Sequence, residues 1–327
     1  MSASVLTVIV NYKSAEMALK SAAAARRAMQ GVNGAITIVD NDSQDGSYEV
    51  LARETADWPD VRVIASGRNG GFGFGNNIAI RAGLPDGRKP DFVYLLNPDA
   101  FPDADTITTL RDHLLAHPRM GFLGSAIRGE DGVAHHSAFR FPSVLSEFEA
   151  AAQTAPISRL LRRYQVSMDF PAQPCAVDWC SGASVMFRRA MLDQIGLFDE
   201  DFFLYFEETD LCRRAWAAGW QGGYLPQVSV MHIGSVSTGM KRWDRVPGYW
   251  FASRARYFTK AGGRAYLAGV TLAYLAGALI WKARRVLERK EERVPPYFLR
   301  DLAAHTWQAL KPGATANRAG QQVQHMP

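Results

Sequence analysis

Short apolar runs alternate with Ala-rich or amphipathic stretches along the first hundred residues. The runs predict strands at Val5–Asn11, Ala35–Asp40, Val61–Ala65 and Phe92–Leu96, and the intervening stretches predict helices at Ala15–Gln30, Tyr48–Thr55 and Ile78–Gly83. Strands and helices that alternate at this spacing form right-handed βαβ units. The pattern therefore predicts an α/β fold with a Rossmann-like, mostly parallel sheet flanked by helices.

Polar residues stand where these predicted strands end. Asn11 and Asp40 close the first two strands, and Asn97 follows the strand Phe92–Leu96. A Gly/Asn-rich stretch that begins at Asn69 follows the remaining strand, Val61–Ala65. Ligands of open α/β sheets bind outside the carboxyl ends of the strands. We expect these residues to meet in one crevice.

The pattern changes after a predicted helix at Thr106–His117. Residues 128–170 are irregular, which suits an acceptor-facing insertion, and a strand at Ala183–Phe187 and helices at Arg189–Ile195 and Thr209–Gly219 follow. We expect a catalytic domain over residues 1–240, a basic helical extension over 241–311 and a disordered tail over 312–327.

Composition indicates an ordinary folded protein, since 47% of residues are hydrophobic and 21% charged, and it excludes disordered and fibrous classes. The net charge of +5 suits anionic partners without choosing among them. Between Lys241 and Arg300 there are fourteen Lys or Arg residues and only four acidic residues.

The three cysteines, at 175, 180 and 212, have no C-x-x-C spacing, and the N-terminal segment lacks signal-peptide features. A cytoplasmic protein without a nucleic-acid partner is expected.

The turn after Asp40 has two interpretations. Asp40 with Ser43 and Ser47 can form a capping turn for the next helix. A carboxylate at a strand end can also accept a hydrogen bond from a base N–H, such as the imide of uracil or thymine. The local sequence leaves both open.

The stretch Asn69–Asn77 has four glycines in six residues, which allow a close approach of backbone to ligand. It matches neither G-x-G-x-x-G nor the P-loop, and it follows the third strand rather than the first. Dinucleotide and Walker-type sites are therefore disfavoured.

Two segments have the chemistry of a metal and phosphate site. Asp99 leaves the fourth strand through Asn97-Pro98, and its carboxylate suits Mg²⁺ or Mn²⁺ that bridges phosphates. His232 is followed by Gly234, Ser235 and Ser237, a loop that can hold phosphate or metal. Each signal is weak in isolation, because a lone carboxylate or histidine is commonly structural.

Three acids crowd together at Glu207, Glu208 and Asp210, directly after the apolar run Phe202–Tyr205. Acids stabilise a helix N-terminus, and Asp210 can pair with Arg213 or Arg214. Crowding beside apolar residues should also raise at least one pKa, which suits a general base.

Taken together and in this order, these segments resemble the family 2 glycosyltransferases, and within them a rhamnosyltransferase-like group. The matching segments are VIVNYKS (8–14), VDNDSQDGS (39–47), NGGFGFGNN (69–77), LLNPDA (95–100), WCSGASVMFRR (179–189), FDEDFFLYFEETDLCRRAWAAGW (198–220) and HIGSVS (232–237). They cover about residues 5–240.

The resemblance implies a glycosyltransferase A-type fold and inverting, metal-dependent transfer from a nucleoside-diphosphate sugar, with dTDP-rhamnose favoured by the subgroup. It implies a role for each matched residue: donor binding for Asn11, Asp40, Asn69, Gly71, Phe72, Asn77 and Asn97; metal for Asp99 and His232; the sugar and acceptor pocket for Trp179, Gly182 and Ala183; and catalysis for Glu208, Glu207 and Asp210. The implied metal is Mg²⁺ or Mn²⁺, and the implied acceptor is a saccharide, often polyprenyl-linked, in bacterial surface polysaccharide synthesis.

This sequence departs from the family pattern in two places. The D-x-D metal motif is Asn97-Pro98-Asp99, with one acid fewer, and the base position holds Glu208 instead of Asp. Which of the three acids is the base stays open, as does a UDP-hexose or UDP-galactofuranose donor. A nucleotidyltransferase is disfavoured because the first strand lacks a Gly-rich phosphate loop, and an inactive sugar-nucleotide-binding partner is disfavoured by the intact acids.

Residues Ala265–Trp281 are seventeen uncharged residues with basic flanks at Arg264 and Lys282. This length is at the lower limit for spanning a bilayer. A core helix is one interpretation, and the basic flanks and aromatic ends favour a helix at an anionic membrane surface. We therefore expect a peripheral protein at the inner face of the cell membrane, with its oligomeric state left open.

Overall fold

The computed structural model describes residues 3–234, 244–291 and 294–312, and the chain divides into two compact units. Unit 1 comprises residues 1–139, 168–200 and 208–239. Unit 2 comprises residues 140–167, 201–207 and 240–327. The expected tail over 313–327 and the serines at 235 and 237 lie outside the described residues.

Strands alternate with helices up to residue 232, and the described residues from 244 onward form helices without strands. The strands are β1 (Ser4–Asn11), β2 (Asn33–Asp40), β3 (Val61–Ala65), β4 (Phe92–Leu96), β5 (Ala100–Pro102), β6 (Met120–Arg128), β7 (Ala134–His135), β8 (Ala138–Phe139), β9 (Cys175–Ala176), β10 (Trp179–Cys180), β11 (Ser184–Arg188) and β12 (Gln221–His232). The helices are α1 (Ala15–Ala28), α2 (Ser47–Glu54), α3 (Phe72–Ala82), α4 (Thr106–Ala116), α5 (Val144–Ala152), α6 (Ala155–Leu160), α7 (Arg189–Ile195), α8 (Glu207–Ala217), α9 (Gly248–Glu288) and α10 (Phe298–Leu310).

Unit 1 is built on a mixed sheet in the order β3-β2-β1-β4-β11-β6-β12-β5. The first four of these strands are parallel, and β11 runs antiparallel between β4 and β6. Asn11 pairs with Asp40, and Ile9 pairs with Leu96, so the polar residues after β1, β2 and β4 leave the sheet at one edge. The expected α/β architecture with a helical C-terminal part is confirmed.

Burial on both faces explains why β1 is apolar without alternation. Every residue of β1 is buried, and Val5 and Ile9 are packed in one core cluster with residues of β2, β4, α1 and α4. Helix α1 contributes Ala18, Ala22 and Ala25 to this cluster, and such small side chains let the helix lie close to the sheet. Strands covered on both faces have this continuous hydrophobicity.

The Gly-rich segment is different from the expected loop. Helix α3 begins at Phe72, so the predicted start at Ile78 was wrong. A Cβ at Gly73 would lie 2.9 Å from the Phe198 Cβ, and one at Gly75 would lie 2.7 Å from Val10 Cγ1. These glycines serve close packing inside a helix, a role that propensity does not reveal.

Unit 2 is helical. Its long helix α9 has non-helical backbone at Gly262 and Gly263, and it extends past the uncharged segment Ala265–Trp281 through Lys282. The buried Arg254 of α9 pairs with Glu147 of α5 and donates to Thr271. A Cβ at Gly277 would collide with the Phe148 carbonyl, so α5 and α9 pack closely there.

Candidate active site

The ends of β1 and β2 form a hydrogen-bonded polar cluster around Asp40. The Asp40 Oδ1 accepts from Asn11 Nδ2 at 2.8 Å and from Ser43 Oγ at 2.6 Å, and Oδ2 accepts from the Ser43 N–H at 3.1 Å. The capping-turn interpretation is therefore confirmed in part. Each carboxylate oxygen can accept two hydrogen bonds, so Oδ2 can also receive a donor from a ligand.

Asparagine side chains shape the backbone that leads into α3. Asn69 Oδ1 accepts from the Gly71 N–H at 3.1 Å and from Asn41 Nδ2 at 2.9 Å, and Asn41 Nδ2 also donates to the Gly71 carbonyl at 3.1 Å. Gly71 has a φ of 87°, which favours glycine. Asn41 was not predicted, although its place directly after the strand end at Asp40 was a usable signal. The loop is held in one shape next to Phe72.

Asp99 and His232 come together because β5 pairs with β12. The His232 Nε2 lies 3.1 Å from Asp99 Oδ1 and 3.3 Å from Asn97 Nδ2, and the Gly234 N–H donates to Asp99 Oδ2 at 3.0 Å. Burial acts to raise the pKa of Asp99, but the hydrogen bond and charge of His232 and the Gly234 N–H outweigh it, so the pKa is lowered. The carboxylate form is stabilised at this position.

The donor set at this position suits a divalent cation only in part. Within residues 3–234, 244–291 and 294–312, no three His, Cys, Asp or Glu side chains are grouped to hold a metal ion. Asp99 and His232 supply one ionised carboxylate oxygen and one imidazole nitrogen. Mg²⁺ is usually held by one or two carboxylates plus substrate phosphates, and imidazole suits transition metals. The pair therefore fits a metal whose shell the substrate completes.

Glu208 lies at the start of α8 beside Gly182 and Phe72. A Cβ at Gly182 would lie 3.2 Å from the Phe72 ring and 3.8 Å from Glu208 Oε1, so the three residues meet in one place. The Glu208 Oε2 is buried without a hydrogen-bond partner among the described residues. Burial raises the pKa of Glu208 to about 7, although the backbone N–H groups of Glu208, Gly182 and Thr209 act to lower it. A carboxyl group with this pKa can exchange a proton near neutral pH.

Asn97, beside Asp99 and His232, and Glu208 approach the same stretch of backbone. The Asn97 N–H donates to the Ala183 carbonyl at 3.1 Å, and Ala183 follows Gly182 directly. Ala183 and Gly182 are both buried. The residues after β4 thus lie beside the residues that precede β11.

The other two acids occupy different surroundings. Asp210 is buried and pairs with Arg214 of the same helix, with Arg214 Nε 2.9 Å from Asp210 Oδ2. Glu207 is buried as well and falls in the ranges of unit 2. The pairing of Asp210 with an arginine four residues later was one of the expected alternatives.

Trp179 and Asn77 make contacts with residues of unit 1. The Trp179 ring stacks on Phe139 with centroids 4.2 Å apart, in the two-stranded sheet of β8 and β10. Asn77 is fully buried, and its amide group hydrogen-bonds Phe198 and Glu200. The described contacts of Asn77 are thus made with the chain itself.

A family model described as "Glycosyltransferase like family 2" matches residues 3–247, which include β1, Asp40, Asp99, Glu208 and His232. The chain belongs to this family. Glycosyltransferase activity follows from membership, and the recognition of the family from its ordered motifs is confirmed.

Two of the curated relatives that this chain resembles are rhamnosyltransferases. The N-acetylglucosaminyl-diphospho-decaprenol L-rhamnosyltransferase of Mycobacterium tuberculosis is 33% identical over 214 residues, which are 62% of this chain and 68% of the relative. The rhamnosyltransferase WbbL of Escherichia coli is 26% identical over 234 residues, which are 66% of this chain and 86% of the relative.

Solved glycosyltransferases have the same fold. The mannosyltransferase PcManGT from Pyrobaculum calidifontis, in complex with GDP-Man and Mn²⁺, has a TM-score of 0.56 at 16% identity and covers 98% of this chain and 87% of its own. Staphylococcus aureus TarS 1–349, in complex with UDP-GlcNAc, has a TM-score of 0.55 at 12% identity and covers 94% and 82%. At these identities the likeness shows the fold.

Proposed function

We propose that this glycosyltransferase moves a sugar with inversion from a nucleoside-diphosphate donor, dTDP-rhamnose in the first instance, to a lipid-linked saccharide in bacterial surface polysaccharide synthesis. The observation that carries the reaction type is the Glu208 carboxyl, which has a buried Oε2 and a pKa raised to about 7 and lies beside Gly182. The residue after Gly182, Ala183, accepts from the Asn97 N–H. The names of two relatives, both rhamnosyltransferases, support the sugar, and the diphospho-decaprenol in one name supports the lipid-linked acceptor.

Glu208 is the general base of the proposed reaction. Its ionised carboxylate takes the proton of the acceptor hydroxyl while that oxygen bonds to the anomeric carbon. The bond from the anomeric carbon to the diphosphate oxygen breaks, and the diphosphate leaves with the electron pair. Attack from the face opposite the leaving group inverts the configuration. A base positioned in this way contributes roughly 10²- to 10⁴-fold to the rate.

The donor occupies the carboxyl edge of β1, β2 and β4 in this proposal. Asp40, oriented by Asn11 and Ser43, accepts from the pyrimidine base, and the loop formed by Asn69 and Gly71 lies against the nucleotide. Phe72 lies against the sugar, since its ring is next to Gly182 and therefore near the proposed base.

Asp99 and His232 hold Mg²⁺ or Mn²⁺ in this proposal, with Asn97 beside them. Such an ion neutralises charge on the departing diphosphate when it is bound. The lowered pKa of Asp99 keeps the carboxylate ionised, and the Gly234 N–H fixes its second oxygen. Because the motif has one acid fewer, Asp99 and His232 would hold the ion together with the bound substrate.

The acceptor is placed between Trp179 and the Gly182–Ala183 backbone. The stacked pair of Trp179 and Phe139 offers an aromatic surface to a sugar ring, and Gly182 has no side chain that would separate the acceptor from Glu208. Glu207 is assigned a supporting role as the neighbour of the base.

A membrane-facing surface in unit 2 suits a lipid-linked acceptor. On α9, Leu272 and Leu279 are each 67% exposed and Val286 is 72% exposed, at seven-residue spacing that places them on one helix face. Ala276 and Ala283 are also exposed on this face. An exposed apolar stripe of this kind is unusual on a soluble surface and marks an interaction site.

Basic residues surround that stripe. Arg264 lies before it, and Lys282, Arg285, Arg289 and Lys290 lie around its end. A helix with an apolar face and basic flanks binds in the plane of an anionic membrane. The helix has the length and apolar composition to cross a membrane, but the break at Gly262 and Gly263 and the contacts of Arg254 and Gly277 support peripheral attachment at the cytoplasmic face.

The test is a panel of nucleotide sugars with Mn²⁺, measured by thermal stabilisation and by donor hydrolysis with water in place of the acceptor. Stabilisation and hydrolysis are expected with dTDP-rhamnose and not with its mannose or glucose counterparts. Selective turnover of a UDP-hexose or UDP-galactofuranose would replace the donor assignment. Binding without turnover of any donor would favour an inactive sugar-nucleotide-binding partner.

A further inference from the structure

The loop of residues 195–200 lies between the helix that begins at Phe72 and the helix that carries Glu208. On the α8 side, the Arg214 guanidinium donates to three successive carbonyls, with distances of 2.7 Å to Ile195, 3.2 Å to Gly196 and 2.6 Å to Leu197. Asp210 holds the same guanidinium at 2.9 Å from Arg214 Nε. A planar donor group of this kind fixes several acceptors in one geometry.

On the α3 side, Asn77 forms hydrogen bonds with Phe198 and Glu200, in the second half of the loop. Its Oδ1 accepts from the Phe198 N–H at 3.0 Å, and its Nδ2 donates to the Phe198 carbonyl at 2.9 Å and to Glu200 Oε1 at 2.8 Å. Both amide protons are therefore used. Arg81, one helical turn further along α3, pairs with the same Glu200 oxygen at 2.7 Å.

Phe198 connects this loop to the candidate site through its contact with Phe72. Its ring packs edge-on against Phe72, with centroids 6.1 Å apart at 79°, and against Phe187 at 6.3 Å and 85°. The absence of a side chain at Gly73 is what lets the Phe198 Cβ come close to α3. Phe72 in turn lies beside Gly182, whose N–H acts on the Glu208 carboxyl.

We propose that the 195–200 loop is a spacer that sets the position of Phe72 relative to Glu208, and that Asn77 and the Arg214–Asp210 pair are its positioning residues. Neither Asn77 nor Arg214 is a catalytic residue in this scheme, because both act through the loop backbone. The inference rests on the proposed function, since it takes Phe72 as a contact of the donor sugar and Glu208 as the base. It also gives Asp210 a positioning role in place of the expected catalytic one.

The test compares Asn77→Ala, Arg214→Gln and their double variant with Arg26→Gln. Arg26 is the control because it also forms an ion pair in unit 1, with Asp60, at 33% and 37% side-chain exposure. The measurements are kcat for dTDP-rhamnose hydrolysis with Mn²⁺ per folded molecule, and the donor Kd by calorimetry. Arg214→Lys is a milder variant, since lysine keeps the charge beside Asp210 but lacks the planar fork that holds three carbonyls.

Each single variant is expected to lower kcat by about 10- to 100-fold, the effect of a small misplacement of reacting groups, with donor Kd changed by less than about threefold. The kcat of the double variant should be only slightly lower than that of the less active single variant, because both changes release the same loop. Arg26→Gln should keep the wild-type kcat.

Unchanged kcat per folded molecule, or effects that multiply in the double variant, would overturn the spacer role. Loss of folded protein without a change in the kcat of the remainder would assign these residues to stability alone. Glu208→Gln is measured in parallel, so that a wild-type kcat in that variant would count against the proposed base, while the loop is judged from the Asn77 and Arg214 variants.

Discussion

Replacing Glu208 with Gln removes a carboxyl group whose pKa burial raises from 4.5 to about 7. Below pH 4.5 the group is protonated in the folded and the unfolded chain. As the pH rises toward 7, the unfolded chain ionises while the folded protein keeps its proton, so the free energy of unfolding of the wild type falls. The difference of about 2.5 between the two pKa values corresponds to about 3 kcal/mol lost across this window.

Glutamine does not titrate, so the variant escapes this loss. The free energy of unfolding of Glu208→Gln relative to wild type should therefore rise by about 3 kcal/mol between pH 4 and pH 8. Urea unfolding at several pH values measures this difference, and Glu130→Gln, which removes an exposed acid next to β7, is the control. A difference that stays constant from pH 4 to pH 8 would refute the raised pKa.

The same substitution separates catalysis from binding. Hydrolysis of dTDP-rhamnose should fall by about 10²- to 10⁴-fold in Glu208→Gln, with donor Kd nearly unchanged. In the wild type, kcat/KM should rise with pH through an inflection near pH 7, because the base acts only when it is ionised. Retained activity in Glu208→Gln together with its loss in Glu207→Gln would move the base to Glu207.

Three other changes test the remaining assignments. Asp99→Ala should abolish the Mn²⁺-dependent part of donor binding in calorimetry, and an unchanged metal titration would contradict its role as a ligand. Gly73→Ala should lower the free energy of unfolding by about 1–3 kcal/mol in urea, because its Cβ would press on Phe198. Gly269→Ala is the control, since Gly269 is also helical and an added Cβ there would meet nothing within 4 Å. Leu272→Glu with Leu279→Glu should release the protein from anionic vesicles in sedimentation, and undiminished binding would exclude this face as the membrane contact.

Sequence reasoning recovered the parallel strands, because β1, β2 and β4 are buried apolar runs that are closed or followed by a polar residue. The predicted strands Val61–Ala65 and Phe92–Leu96 have the observed bounds. It failed where glycine has a packing role, as at Gly73 and Gly75, since helix propensity counts glycine as a breaker. It also gave no strand at Met120–Arg128, although that strand lies inside the sheet.

The residue types of the candidate site were visible in the sequence, whereas their partners were not. Asp99 and His232 are 133 residues apart, and only the pairing of β5 with β12 brings Nε2 to 3.1 Å from Oδ1. The proposal of Glu208 as the base likewise depends on the tertiary structure, because Asp210 pairs with Arg214 whereas the Glu208 carboxyl lies beside Gly182.

The sequence by itself determined the alternation of buried strands and helices, the edge of the sheet where polar residues gather, and the family to which the ordered motifs belong. These features are local, since each depends on residues close together in the chain. The tertiary structure decided which carboxyl group has a raised pKa, which face of α9 is exposed, and how Asn77 and Arg214 hold one loop. Desolvation, exposure and long-range hydrogen bonds depend on residues far apart in the chain, so they exist only once the chain has packed.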